Sequence, residues 1–336
     1  MRNSISFVIC LSASVVLSSI TFGAEYKITD LGSLGGYVGI AYDINDNRQV
    51  VGWSFVDSTY YHAFSYNNKK MTELVSVGSD VAQILAINNY NQAVGWANVE
   101  TAYSHAVLYE KGKTSDLGTL GGIQSQAFGI NDNGQIVGAS DTDSDERHAF
   151  LFENGRMKDL GTLGGLFSEA YGINNNGQIV GVSETSAGEF HAFLFKDGIM
   201  RDIGTLGGML SEAYGINDRG QIVGYSETPS GALHAFLFEK GKMKDIGTLG
   251  GADSYARAIN NSGLIAGYSE TSSGVTHAFI YNNAVMTDLG TLFGVRESRA
   301  FAINNLGQIV GWSDFDIAGW RHAVQWDPYT LLSFVR

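Results

Sequence analysis

Short segments rich in apolar and β-branched residues alternate with polar turns along most of the chain. In one copy, "EAYGIN" (169–174) and "GQIVGVS" (177–183) flank Asn and Gly residues, which is hairpin chemistry because both residue types tolerate positive φ. "HAFLF" (191–195) follows a variable polar loop, and a fourth segment, written "MKDLG" at 157–161, follows the turn Glu153-Asn154-Gly155. No window carries apolar residues at the 3.6 spacing of a helix, so the pattern predicts four short strands in each unit.

The unit repeats. Ile-Asn pairs begin at Ile44, Ile87, Ile130, Ile173, Ile216, Ile259 and Ile303, a spacing of 43 that ends with one step of 44. Each of the seven histidines (His62, His105, His148, His191, His234, His277 and His322) is followed by Ala, one per unit. Four strands in about 43 residues match a propeller blade. The expected fold is all-β: a seven-bladed β-propeller of four-stranded antiparallel blades. A fourth-strand phrase, "YKITDLGSLGG", precedes any first strand, and the fourth strand of the last unit is degenerate in "RHAVQWDPYTLLSFVR". Residues 26–32 are therefore expected beside 322–326, closing the ring and leaving no open edge. Thr330–Val335 is the alternative occupant of that outer position.

The stretch "SEAYGINNNGQIVGVSETSAGEFHAFLFKDGIMRDIGTLGG" (168–208) resembles the bacterial extracellular HAF repeat, whose His-Ala-Phe stands here at 148–150, 191–193, 234–236 and 277–279. The resemblance covers about residues 26–329. It implies export and a β-propeller-like array, with no activity to carry over. The second unit departs from the pattern with "TELVSVGSD" and "HAV", and the last with "HAV" and "FG". These two units are the best candidates for specialisation.

Composition sharpens this picture. Apolar residues make up 44% and charged residues 16% of the 336, enough for a real core, and 43 Gly against 2 Pro suits tight turns more than linkers. Residues 1–24 carry one charge, Arg2, then an apolar run and small residues up to Ala24. That is a secretory signal pattern, with an uncleaved anchor the weaker reading. Cleavage would leave 25–336 as one exported domain, secreted, periplasmic or at the cell surface, with no cysteine and no membrane insertion. The net charge of −13 repels phosphate backbones, which argues against nucleic acid as a partner.

The histidines are expected to brace each blade, as His191 would with Asp202 or Ser183. They cannot pool into a metal cage, since equivalent atoms on neighbouring blades lie on the order of 10 Å apart and zinc bonds are about 2 Å. Positions where the units differ are more informative. After the second-strand Gly stand Trp53, Trp96, Ala139, Val182, Tyr225, Tyr268 and Trp312, and aromatic faces near a rim suit sugars or peptides, although packing between blades is the plainer role. Early in the first strand stand Ile40, Gln83, Gln126, Glu169, Glu212, Tyr255 and Arg299, expected to ring the channel mouth on the same face. Glu169 and Glu212 resemble a paired-carboxylate arrangement for acid–base chemistry, with solvated surface residues as the stronger reading. In "SDTDSDERH", Asp141, Asp143 and Asp145 alternate as a calcium loop begins, but without its Gly and distal Glu. They are weak calcium candidates, and no other cofactor is implied. The sequence thus reads as a binding module for a carbohydrate or protein on the variable-loop face, without catalytic residues. Hydrolase or lyase chemistry at the channel mouth and a structural surface or matrix role are the alternatives.

Overall fold

The computed structural model describes residues 26–74, 82–100, 103–294, 296–316 and 319–329. The expected signal segment 1–24 and the tail from Thr330 lie outside them. Strands form five four-stranded sheets and one eight-stranded sheet, and the latter consists of two four-stranded units joined by one parallel pair, Arg147 with Phe167. A typical unit runs Ser211–Ile216, Ile222–Glu227, Leu233–Glu239, Lys242–Asp245, each strand antiparallel to the next. Its first hairpin turns at Gly220, whose φ of 75° is open to glycine at little cost.

Alternation along the strands explains where the core sits. Third-strand residues Phe64, Phe150, Phe193, Phe236 and Phe279 are fully buried, as are second-strand Ile136, Ile179, Ile222, Ile265 and Ile309. Each such side chain contributes roughly 1.5–3 kcal/mol by leaving water. The cores lie between units: Val180 and Ala192 of one pack on Ala213, Ile222 and Phe236 of the next. Ala302, Val310 and Ala323 pack in the same way with Ala41, Ile44, Val50 and Phe64, joining the last unit to the first.

Strand Tyr26–Gly32 pairs antiparallel with Arg321–Pro328, from Tyr26 opposite Pro328 to Gly32 opposite Ala323. It occupies the outer edge of the sheet holding Ser298–Ile303 and Ile309–Asp314, where a fourth strand stands in the other units. The histidine brace follows the same logic. His191 Nδ1 meets Asp202 at 2.7 Å, so Asp202 and not Ser183 is its partner. In the last unit His322 takes its carboxylate from Asp30, at 2.9 Å, across 292 residues of sequence.

The Ile-Asn pairs stitch units together. Asn217 is buried, and its Oδ1 accepts the amides of Arg219 and Gln221 while its Nδ2 donates to the carbonyl of Asn260 at 3.0 Å. The same donation runs from Asn45 to Asn88 and on through each unit to Asn304, whose Nδ2 donates to the carbonyl of Asn45 at 3.1 Å. A buried amide needs such partners, because leaving it unpaired costs about 1–3 kcal/mol.

Candidate functional site

Each first strand carries a register shift around the residue two before its Ile. In the typical unit Ala213 faces Gly224 and Gly215 faces Val223, so Tyr214 is the extra residue of a β-bulge. Equivalent shifts isolate Tyr42, Leu85, Phe128, Tyr171, Arg257 and Phe301. Bulges re-aim side chains, and these seven residues line one cavity of about 610 Å³. That volume lies in the small-ligand range of about 300–1,000 Å³. Gln83, Trp96 and Gln126 also line the cavity, Gln83 and Gln126 from first strands and Trp96 from a second. A smaller, polar cavity of about 220 Å³ is lined by the seven Ile-Asn pairs and the Asn or Asp that follows each.

Aromatic rings form most of the wall. Phe128, Tyr171 and Tyr214 follow one another at 5.5 and 4.8 Å between centroids, and Tyr42 stacks on Phe301 at 5.2 Å. Between these two groups stands Arg257, its guanidinium 3.7 Å from the Tyr214 centroid and 5.7 Å from that of Phe301. The tyrosine hydroxyls are tied to carboxylates: Tyr171 donates to Glu169 at 2.8 Å and Tyr214 to Glu212 at 2.6 Å. Burial, reinforced by those carboxylates, pushes the Tyr171 phenol far above its usual range. Burial also raises Tyr214, against the pull of Arg257. Both therefore stay protonated and act as donors.

Asp43 is the one charged residue in the layer beneath the bulges, where the other units have Ala86, Gly129, Gly172, Gly215, Ala258 and Ala302. Its carboxylate accepts the amides of Ile44 and Ile87, both at 2.8 Å. Burial pushes its pKa up to about 6 against the lowering effect of those two donors. An unfolded Asp titrates near 3.9. Between about pH 4 and 6 the folded protein therefore holds a proton that the unfolded chain has lost, and this group's contribution to stability falls as pH rises. Asp43→Asn should remove that slope. Urea unfolding at pH 4 and pH 7 should show the variant gaining on the wild type by roughly 2–3 kcal/mol across the window; an unchanged difference would refute the assignment.

The two variable sets identified from sequence are direct cross-strand partners: Ile40 with Trp53, Gln83 with Trp96, Glu212 with Tyr225, Tyr255 with Tyr268 and Arg299 with Trp312. Of the three tryptophans, Trp96 lines the cavity. Trp53 packs against Tyr61 and Phe55 at 5.2 and 5.7 Å. Trp312 is corrected from a rim platform to a buried residue: it is 2% exposed, with Arg321 at 4.2 Å and Arg299 at 5.5 Å from its ring. Tyr225, Tyr255 and Tyr268 form a row at 4.9 and 5.0 Å that meets Tyr214 at 6.0 Å. Arg299 lies over Tyr268 at 4.8 Å.

The solvated reading of Glu169 and Glu212 is also corrected. Glu169 accepts Arg147 Nε at 2.5 Å as well as the Tyr171 hydroxyl, with 15% of its side chain exposed, and Glu212 holds Tyr214. Both carboxylates support the cavity wall. Asp141 pairs with Arg147 at 3.4 Å and Asp145 sits in a turn at φ 60°. Asp141, Asp143 and Asp145 do not converge, and among the described residues no three His, Cys, Asp or Glu groups are placed to hold a metal. The bulge residues were not singled out from sequence, although a signal existed. The position two before each Ile-Asn reads Tyr, Leu, Phe, Tyr, Tyr, Arg, Phe, as variable as the positions that were singled out.

Solved structures share the propeller fold. The β-propeller domain of the trilobed protease from Pyrococcus furiosus matches 86% of this chain and 96% of its own, at 12% identity and a TM-score of 0.58. A puromycin-hydrolyzing peptidase of Mycobacterium tuberculosis matches 86% of this chain at 11% identity and a TM-score of 0.55. TolB from Acinetobacter baumannii matches 73% at 11% identity and a TM-score of 0.51. The chain spans 51% of that peptidase and 61% of that TolB. At such identities the likeness concerns the fold alone. No family model matches the chain, and no curated protein matches it in sequence.

Proposed function

We propose that this protein is an exported HAF-repeat propeller of seven blades, closed by its N-terminal strand, that binds a carbohydrate in its central cavity. The leader-like residues 1–24 and the repeat phrases support export and family. Closure is supported by the pairing of Tyr26–Gly32 with Arg321–Pro328 and by the Asn304-to-Asn45 hydrogen bond, which repeats the contact made between all other neighbours. The observation that carries the binding reading is the aromatic cavity of about 610 Å³ with Gln83 and Gln126 in its lining. Flat apolar rings with amide groups beside them match the faces and hydroxyls of a sugar.

Hydrolytic chemistry is the weaker reading. A carboxylate pair would need both groups available, and Glu169 has both oxygens engaged by Arg147 and Tyr171. A protein ligand on the same face has one observation in its favour. The residues after the Gly-Gly turns, Tyr37, Ile123, Leu166 and Met209, are apolar and 51–65% exposed, as at protein-binding surfaces.

The test is binding of purified residues 25–336 to a broad glycan array, with and without calcium, beside the variant Trp96→Ala. Selective binding that the variant loses while keeping its melting temperature supports the cavity. A blank array sinks the carbohydrate reading and turns the search to protein partners.

A further inference from the structure

Among the seven bulge residues, six are aromatic or aliphatic and one is charged. Arg257 extends from strand Gly250–Ile259 into the cavity, between Tyr214 and Phe301. In a chain with 34 acidic and 21 basic residues, the usual fate of a half-buried arginine is a carboxylate partner. Arg147 has Glu169 and Asp141, and Arg321 has Asp314. Arg257 has none: among the described residues no carboxylate lies within ion-pairing distance of it, and its contacts are with tyrosine and phenylalanine rings. Cation–π contact recovers part of the cost of taking a guanidinium out of water. It does not replace the ion pair that such a group ordinarily forms. The fold therefore maintains a cation without a carboxylate partner, facing an open cavity.

We infer that the cavity recognises a ring carrying one carboxylate, with the Arg257 guanidinium binding the carboxylate and the neighbouring rings stacking on the ligand. This rests on the reading of the cavity as the binding site and narrows its ligand class. A guanidinium presents paired N–H groups in a plane, which matches a carboxylate with two parallel hydrogen bonds. Tyr171, Tyr214, Phe301 and Tyr42 supply apolar faces on either side. Asp43 on the same lining carries negative charge at neutral pH, which disfavours ligands of higher charge such as phosphate esters. The required chemistry is shared by uronic acids and by simple aromatic carboxylates.

The experiment separates those two sources and separates this inference from the reading beneath it. Residues 25–336 are titrated calorimetrically at pH 7 with glucuronate, galacturonate and 4-hydroxybenzoate, and with the neutral counterparts glucose, galactose and 4-hydroxybenzyl alcohol. The same ligands are titrated into Arg257→Met and Arg257→Lys. Binding of at least one acid, tenfold or more above its neutral counterpart, is expected. Arg257→Met should abolish that preference and Arg257→Lys should retain part of it. Arg257→Met should also melt no lower than the wild type, since it removes a half-buried charge without a counter-ion; if it fails to fold, the lysine variant alone decides. Equal binding of acids and neutral sugars, or an acid preference that survives loss of Arg257, would overturn the inference while leaving the cavity as the site. No binding in either series would overturn both.

Discussion

Replacing Gly224 by alanine is expected to lower the melting temperature by on the order of 3–5 °C. The glycine lies in the second strand, where a Cβ would run into the carbonyl oxygen of Glu212 and the Cα of Ala213 on the first strand. The same backbone obstruction recurs at Gly52, Gly95, Gly138, Gly181, Gly267 and Gly311, so a small residue at this point is a condition of the bulge itself. Overpacking of this kind costs about 1–3 kcal/mol or more, and here the obstacle is backbone, which cannot rotate away. Relief would have to come from moving Glu212 and Ala213, and Tyr214 in the cavity wall follows them directly in the chain. Gly241→Ala is the control. Its φ is 75° but nothing lies within 4 Å of the added carbon, so only the left-handed penalty of about 1–2 kcal/mol applies. Equal melting temperatures for the two variants would contradict this account.

Removing the N-terminal strand should cost more. A protein beginning at Ser33 loses Leu31 from the cluster it shares with Ala41 and Phe64, and uncovers Trp326, which is fully buried and packs with Tyr26 and Ile28. It also leaves His322 without Asp30 and the edge of Arg321–Pro328 open to other chains. Loss of three apolar side chains from their packing, at roughly 1.5–3 kcal/mol each, approaches the whole stability of many domains. Urea unfolding should show a midpoint far below that of residues 25–336, with association at high concentration. An unchanged midpoint would mean that the strand merely decorates the last unit.

The period of 43, the four strands per unit and the His191–Asp202 brace were legible because each is local or repeated. So was the pairing of residues 26–32 with the last unit, since a displaced fourth-strand phrase has one vacant edge to fill. The bulge was not legible. Alternation along "SEAYGI" assigns Tyr214 a face by counting in twos, whereas an inserted residue breaks the count. Trp312 reads like Trp53 in sequence, yet Arg299 and Arg321 cover one and aromatic rings border the other. Asp43 was visible as the only acid at a position of Gly and Ala, but its burial depends on a neighbouring unit that supplies the Ile87 amide.

Everything proposed about the cavity depends on the ring being closed by its first strand. Lys27 and Asp327 are direct antiparallel partners across that closure, so their Cα atoms stand at about 4.5–5.5 Å, within disulfide reach of about 4.4–6.8 Å. The most direct measurement is oxidation of Lys27→Cys/Asp327→Cys in residues 25–336, which contain no other cysteine. Closure predicts a monomer with one intramolecular bond and a melting temperature that falls on reduction. Free thiols, or disulfide-linked dimers in place of the monomer, would contradict it.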